Sequence, residues 1–256
     1  MSSSPTIPSS SGRVTTFSTG EDGTPRRALW RTGIPTVRTV AGGWPVAGTA
    51  RPDSLDVFRG GGRRLAVATV ERVGGPGLLV IDLQAEVVER CVDRDGVLDR
   101  TATAIDRARA DDVPVVFVQH QSSHLRPGTD GWRFAPGITP APGETVVAKR
   151  YRDSFAGTAL EEVLAAAHVT HLVIVGAMSD YCVRTTMQRA AADGYDVTLV
   201  QDCHTTEDAE FDGIRITGQQ IIAHTNLYLR GLIYPGQTVG IARHDAPGLF
   251  RLPTRA

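Results

Sequence analysis

From residue 77 onward the chain alternates short, unbroken apolar runs with longer stretches in which apolar residues recur every three or four positions. The runs are LLVI at 78–81, VVFV at 115–118, VVA at 146–148, LVIV at 172–175 and VTLV at 197–200. A strand wetted on one side alternates apolar with polar residues, so unbroken runs call for cover on both faces, as in a parallel sheet. The stretches 98–110, 159–167, 181–192 and 218–229 carry helical periodicity. Strand and helix in regular alternation predict an α/β domain: a doubly wound, mostly parallel sheet with helices on both faces. A dinucleotide-binding reading fails because no GxGxxG follows a strand.

Residues 1–76 have a different character. Seven serines fall in the first 20 positions, and Gly and Pro interrupt 20–75 so often that no periodicity is sustained, except for a short apolar run at 65–70 (LAVATV). Ten arginines face five acids here, net +5, whereas the remainder is net −6. This predicts a low-order, flexible leader over 1–76 and a single domain over 77–256. A Ser- and Arg-rich start is shared by transit peptides, but there is neither a long amphipathic helix nor a secretory apolar core.

With 27 basic and 28 acidic residues in 256, the net charge of −1 argues against nucleic acid as the partner, since such domains carry a basic surplus. No apolar run approaches the roughly 18 residues of a membrane span. Cys91, Cys182 and Cys203 are too few and too scattered for a disulfide framework or a CxxC metal site, which suits a reducing, cytoplasmic setting. Of the 27 basic residues 26 are Arg, and Lys149 is the lone Lys. A compact ammonium retained against that bias has two readings of equal weight on the count alone: chemistry a guanidinium cannot supply, or a chance survivor of the bias.

Ligands of such sheets bind at the carboxyl ends of the strands. Asp82 follows LLVI, Lys149 follows VVA, and Gly176-Ala177-Met178-Ser179-Asp180-Tyr181-Cys182 follows LVIV and opens a helix. A cysteine in the first turn of that helix, near an ammonium, is expected to be a thiolate nucleophile. Asp82 is placed to act as general base and acid, with Lys149 holding it ionised. Singly, each of these residues has an ordinary structural explanation, a buried small hydrophobe or a turn former; their convergence on one sheet edge favours function. Cys91 and Cys203 lack such neighbours and are read as structural.

These motifs, LLVIDLQ, VVFVQH, Gly131-Trp132, AKRYRDSFAGTALEEVL and VIVGAMSDYCVRTTMQRAAADGYDVTLVQDC, resemble the isochorismatase-like cysteine hydrolases from about Leu78 to about Ile241. The resemblance implies a catalytic triad of Asp82, Lys149 and Cys182, an acyl-enzyme on Cys182, a cis peptide before Met178, and an oxyanion hole from the backbone N–H groups of Met178 and Cys182. It also implies a homo-oligomer, to which the apolar side of the last helix (Ile221, Ile222, Thr225, Leu229, Leu232) could contribute. Gln84, His120, Trp132, Phe155 and Tyr181 are the candidate substrate-binding residues, the aromatics through stacking on a planar substrate.

Metal-dependent nicotinamidases in this family carry Asp-Trp-His where this chain has Gln119-His120-Gln121, followed by His124. The missing carboxylate argues against a metal, and neither a metal nor another cofactor is expected. Members that cleave the vinyl ether of isochorismate lack the cysteine, so Cys182 points to a C–N bond in an amide, a cyclic amide or a ureido group of a small molecule. The lactam of the antibiotic streptothricin is one candidate. The alternatives are ether hydrolysis, a thiol redox pair of Cys182 with Cys203, and a non-catalytic binding module.

Overall fold

The structure is a computed structural model, and it describes residues 74–251. Six parallel strands form one sheet: β1 (Gly75–Ile81), β2 (Val115–His120), β3 (Thr145–Lys149), β4 (Val169–Ala177), β5 (Asp196–Thr205) and, last in the chain, β8 (Val239–Ala242). Their spatial order is β3-β2-β1-β4-β5-β8. The chain therefore winds outward from β1 in one direction, then restarts at β4 on its other side. The crevice outside β1 and β4 is the topological switch point, where such sheets bind ligands.

Each central strand sends alternate residues to opposite faces. Leu78, Val80, Phe117, Val173 and Val175 pack in one core with Leu98, Ile105 and Ala108 of α2 (Arg94–Ala110). Leu79, Ile81, Val116, Val118, Leu172 and Ile174 pack in the other. That second core takes Leu160 and Leu164 from α3 (Leu160–Ala166), Met187, Ala190 and Ala191 from α4 (Arg184–Ala192), and Leu229 from α5 (Gly218–Arg230). Both faces are covered, which is why the runs are unbroken in sequence. Burying one such side chain contributes about 1.5–3 kcal/mol.

The five expected strands and four expected helices are present, with shifted bounds. β1 begins at Gly75, so two residues assigned to the leader belong to the sheet. Residues 1–73 of the leader, including 65–70, lie outside the described residues. The expected helix at 181–192 is two objects: a π-helical turn at Ser179–Val183, then α4. Four short elements escaped the periodicity. The one-turn helix α1 (Ala85–Val88) and the edge strand β8 are four residues each. The strands β6 (Ala209–Phe211) and β7 (Ile214–Ile216) form a hairpin around Asp212 and Gly213, whose φ values of 52° and 75° are those of a type I′ turn.

Candidate functional site

Asp82 is the first residue after β1, and its backbone turns into the left-handed region at φ 50°. Aspartate tolerates that region better than most side chains. Close behind it Gly176 of β4 has φ 136°, and a Cβ there would lie 2.1 Å from the Ile81 carbonyl oxygen. Only glycine lets the two strand ends approach so closely.

Lys149 closes β3, two strands away, and reaches across the end of β2. Its Nζ lies 2.6 Å from Asp82 Oδ2 and donates at 3.1 Å to Cys182 Sγ and at 3.1 Å to the Tyr151 carbonyl. Both ionic side chains are buried, each 1% exposed. Asp82 Oδ1 is also buried and has no hydrogen-bond partner among the described residues. The three residues singled out in the sequence thus meet at one point.

Their protonation differs from expectation in one respect. Cys182 lies in the π-helical turn ahead of α4, and burial, followed by the neighbouring Asp82 charge, pushes its thiol up to about 12. The charge of Lys149 lowers it only in part, being committed to Asp82. These influences favour the thiol form of Cys182, against the expected preformed thiolate. Burial also raises the Asp82 carboxyl above its ordinary value, against the opposing pull of Lys149. A carboxylate so placed is a stronger base than one in water.

A cavity of about 350 Å³ opens over this cluster, walled by Asp82, Val87, His120, Arg150, Arg152, Met178, Tyr181 and Cys182. Of the five expected substrate contacts it takes two. His120, opposite Lys149 in the β2–β3 register, brings Nδ1 to 3.3 Å from Lys149 Nζ. An ammonium can only donate, so Nδ1 accepts and the ring proton sits on Nε2. Burial and the Lys149 charge lower the His120 pKa and keep the ring neutral. Tyr181 forms part of the rim, with the Arg152 guanidinium 3.9 Å over its ring.

The other three are not in the cavity wall. Gln84 is fully buried and satisfied by protein: its Nε2 donates to the carbonyls of His120 and Trp132, and its Oε1 accepts from the His120 N–H at 2.7 Å. It ties the end of β2 to the loop bearing Trp132. Trp132 serves through its carbonyl, which also accepts from Gln119 Nε2. Phe155 packs in the α3–α4 core, its ring 6.0 Å from that of Tyr195. Val87, Arg150 and Arg152 were missed because neither loop arginines nor a valine in a one-turn helix carries a periodic signal.

The Ala177–Met178 peptide is cis, as the resemblance implied. The next residue, Ser179, heads a buried chain of polar groups. Asn226 Nδ2 donates to the Gln201 carbonyl, which leaves its Oδ1 to accept from His204 Nε2 at 3.1 Å. His204 Nδ1 then accepts from the Ser179 hydroxyl at 2.8 Å. Burial lowers the His204 pKa to about 4, so the ring is neutral and the direction of the chain is fixed. The turn bearing Cys182 is thereby tied to β5 and α5, a role that sequence reading did not assign.

Residues 76–217 match the isochorismatase domain family. The chain belongs to that family. A streptothricin hydrolase of Streptomyces noursei is 39% identical over 137 residues, 51% of this chain and 54% of that protein. A secreted isochorismatase effector of Verticillium dahliae is 33% identical over 132 residues, 49% of this chain and 70% of the effector. The crystal structure of an isochorismatase from Pseudomonas putida is 28% identical with a TM-score of 0.61, covering 66% of this chain and 88% of that one. This isochorismatase-family chain spans about half the length of the streptothricin hydrolases it matches. Among its described residues no helix is long and apolar enough to cross a membrane.

Proposed function

We propose that this protein is a cysteine-dependent hydrolase that cleaves a C–N bond of a small amide, cyclic amide or ureido compound through an acyl-enzyme. The observation that carries the reading is the buried Asp82–Lys149–Cys182 contact set, with Lys149 Nζ at 2.6 Å from the base and 3.1 Å from the sulfur. The similarity to a streptothricin hydrolase supports amide or lactam chemistry in particular.

In this mechanism the substrate carbonyl enters the cavity beside Met178 and Cys182. Asp82, through its unpartnered Oδ1, takes the thiol proton as Sγ attacks the carbonyl carbon. Lys149 offsets the charge on sulfur, and the backbone N–H groups of Met178 and Cys182 receive the oxyanion. Each such donor contributes about 3 to 4 kcal/mol to the transition state. When the intermediate collapses, the C–N bond breaks and Asp82 returns the proton to the departing nitrogen. Water then gives a proton to Asp82 and attacks the thioester; its cleavage releases the acid, and the proton returns to Sγ. His120, neutral and hydrogen-bonded to Lys149, orients the ammonium.

The redox alternative loses its footing because Cys203 packs in the core on the α2 face, whereas Cys182 adjoins the core on the opposite face. Both are free thiols.

The test is amine release from a panel of amides, lactams and ureido compounds, streptothricin among them, with wild type and Cys182→Ala in parallel. Intact mass measurement of rapidly quenched wild type should show an adduct of the acyl group on Cys182. Undiminished turnover by Cys182→Ala would overturn the mechanism.

A further inference from the structure

The wall of the catalytic cavity has an uncompensated charge. Asp82 is neutralised by Lys149 at 2.6 Å, and His120 is held neutral. What remains are the guanidinium groups of Arg150 and Arg152, both in the lining. Arginine abounds in this chain, so its presence alone means nothing; its company does. Arg109, Arg189, Arg215 and Arg243 each sit within 4 Å of a carboxylate. Among the described residues Arg150 and Arg152 have no such partner; Arg90, Arg107, Arg126, Arg184, Arg230 and Arg251 share that, but only Arg150 and Arg152 also line the cavity that holds Cys182.

Both are exposed, with the Arg152 side chain and the backbone around Arg150 held in place. Arg152 stacks on the face of Tyr181, the neighbour of Cys182, which fixes the guanidinium plane and leaves its N–H edges free to donate. The backbone on either side of Arg150 is fixed, since the Lys149 carbonyl accepts from Gln121 N–H and the Tyr151 carbonyl accepts from Lys149 Nζ. Farther on, Ser154 N–H donates to Thr186 Oγ1 of α4 at 3.1 Å. Two cations at the rim of one cavity raise the local potential and offer a joint site for an anion. The planar fork of N–H groups matches a carboxylate in bidentate geometry.

We propose that the substrate bears a carboxylate close to its scissile C–N bond, and that Arg150 and Arg152 bind it. The proposal rests on the reading of this cavity as the site of hydrolysis. Within that reading it narrows the substrate class to acidic amides, such as N-acyl or N-carbamoyl amino acids, over neutral or cationic ones. Arg150 also lines an adjoining groove with Gln121, Ser122 and Ser123, so a larger acidic substrate can extend in that direction.

The charge preference can be measured at Cys182 without a known substrate. Iodoacetate and iodoacetamide are nearly equal in size and differ in charge, and both report the same thiolate fraction, so the thiol pKa cancels in the ratio of their rates. Alkylation of Cys182 would be followed by peptide mass spectrometry at low salt, with rates normalised to those of free glutathione. The expected normalised iodoacetate-to-iodoacetamide ratio is about tenfold in favour of iodoacetate, within the range of charge focusing in clefts. It should fall several-fold in Arg150→Gln/Arg152→Gln and shrink with added salt. A ratio at or below that of glutathione, or one unchanged in the double variant, would overturn the carboxylate subsite. Turnover of paired substrates, one carrying a free carboxylate and the other its primary amide, separates the two readings. Equal kcat/KM values would remove the subsite while leaving the hydrolase intact, whereas an inert protein whose Cys182 still prefers iodoacetate would remove the hydrolase while leaving the anion site.

Discussion

In the proposed mechanism Asp82 must be ionised to take a proton from a thiol at about 12, yet burial raises its own pKa. The two facts are compatible because transfer is coupled to attack: the sulfur's charge passes to the substrate oxyanion as it develops. The sign of the pH dependence follows. The base works only when deprotonated, so kcat/KM should decline as pH falls through the raised Asp82 pKa. A pH–rate profile should therefore place the acid limb above 3.8, the ordinary value for this group. Asp82→Asn should lower kcat/KM by about 10²–10⁴-fold. Cys182→Ala should cost at least about 10³-fold. Lys149→Met leaves Asp82 buried without its counter-charge, a loss of about 3–5 kcal/mol that chemical denaturation would register. All three residues were legible in the sequence, because each follows an apolar run and one is the lone lysine. The thiol's protonation state was not, since it depends on burial and on where the Lys149 charge is spent.

At the scale of elements, the turn bearing Cys182, between β4 and α4, is held from two sides. On one, Gly176 allows β4 to close on Ile81; Gly176→Ala should destabilise the protein by about 3 kcal/mol and reduce activity, through a Cβ clash with backbone that cannot yield. On the other, the Ser179–His204–Asn226 chain fastens the turn to β5 and α5. His204 and His171 have folded pKa values of about 4 against 6.5 when free. Between these values the unfolded chain binds more protons than the folded one. Their contribution is therefore complete above pH 6.5 and lost as pH falls toward 4, up to about 3 kcal/mol each. Melting temperature followed across that window should drop, and His204→Asn should flatten the slope. A flat wild-type profile would contradict the buried, neutral assignment.

For the whole molecule, the groups proposed for catalysis lie between Asp82 and Cys182, and the family match begins at residue 76. Removal of residues 1–72 should leave hydrolysis unchanged when truncated and full-length protein are assayed together. The domain also displays apolar side chains without cover: Phe211 and Ile214 on the β6–β7 hairpin are 79% and 65% exposed, and Leu227 on α5 is 67% exposed. The resemblance implied a homo-oligomer with the Ile221–Leu232 side of the last helix contributing, but Thr225 and Leu229 of that side are buried in the domain itself, so we expect self-association through the exposed hairpin and Leu227 instead. Sedimentation of Phe211→Ser/Ile214→Ser should show a shift toward the monomer, and an unchanged mass would assign the contact elsewhere.

The sequence by itself determined the layered architecture, because apolar run length and helical period record directly whether an element is covered on one face or two. It also determined that Asp82, Lys149 and Cys182 would meet, because a parallel sheet presents the residue after each strand at the same edge. Tertiary structure alone decided the surroundings of that triad. Gln84 and Phe155 look like site residues from their neighbours in the chain, yet the loop carrying Trp132 satisfies one and the α3–α4 core takes the other. Arg150 and Arg152 look like two among 26 arginines until the fold sets them, without carboxylate partners among the described residues, in the cavity that holds Cys182. The physical reason is range. Burial periodicity is a local property of the chain, whereas charge compensation, hydrogen-bond satisfaction and protonation depend on which distant groups the packing brings within a few ångströms.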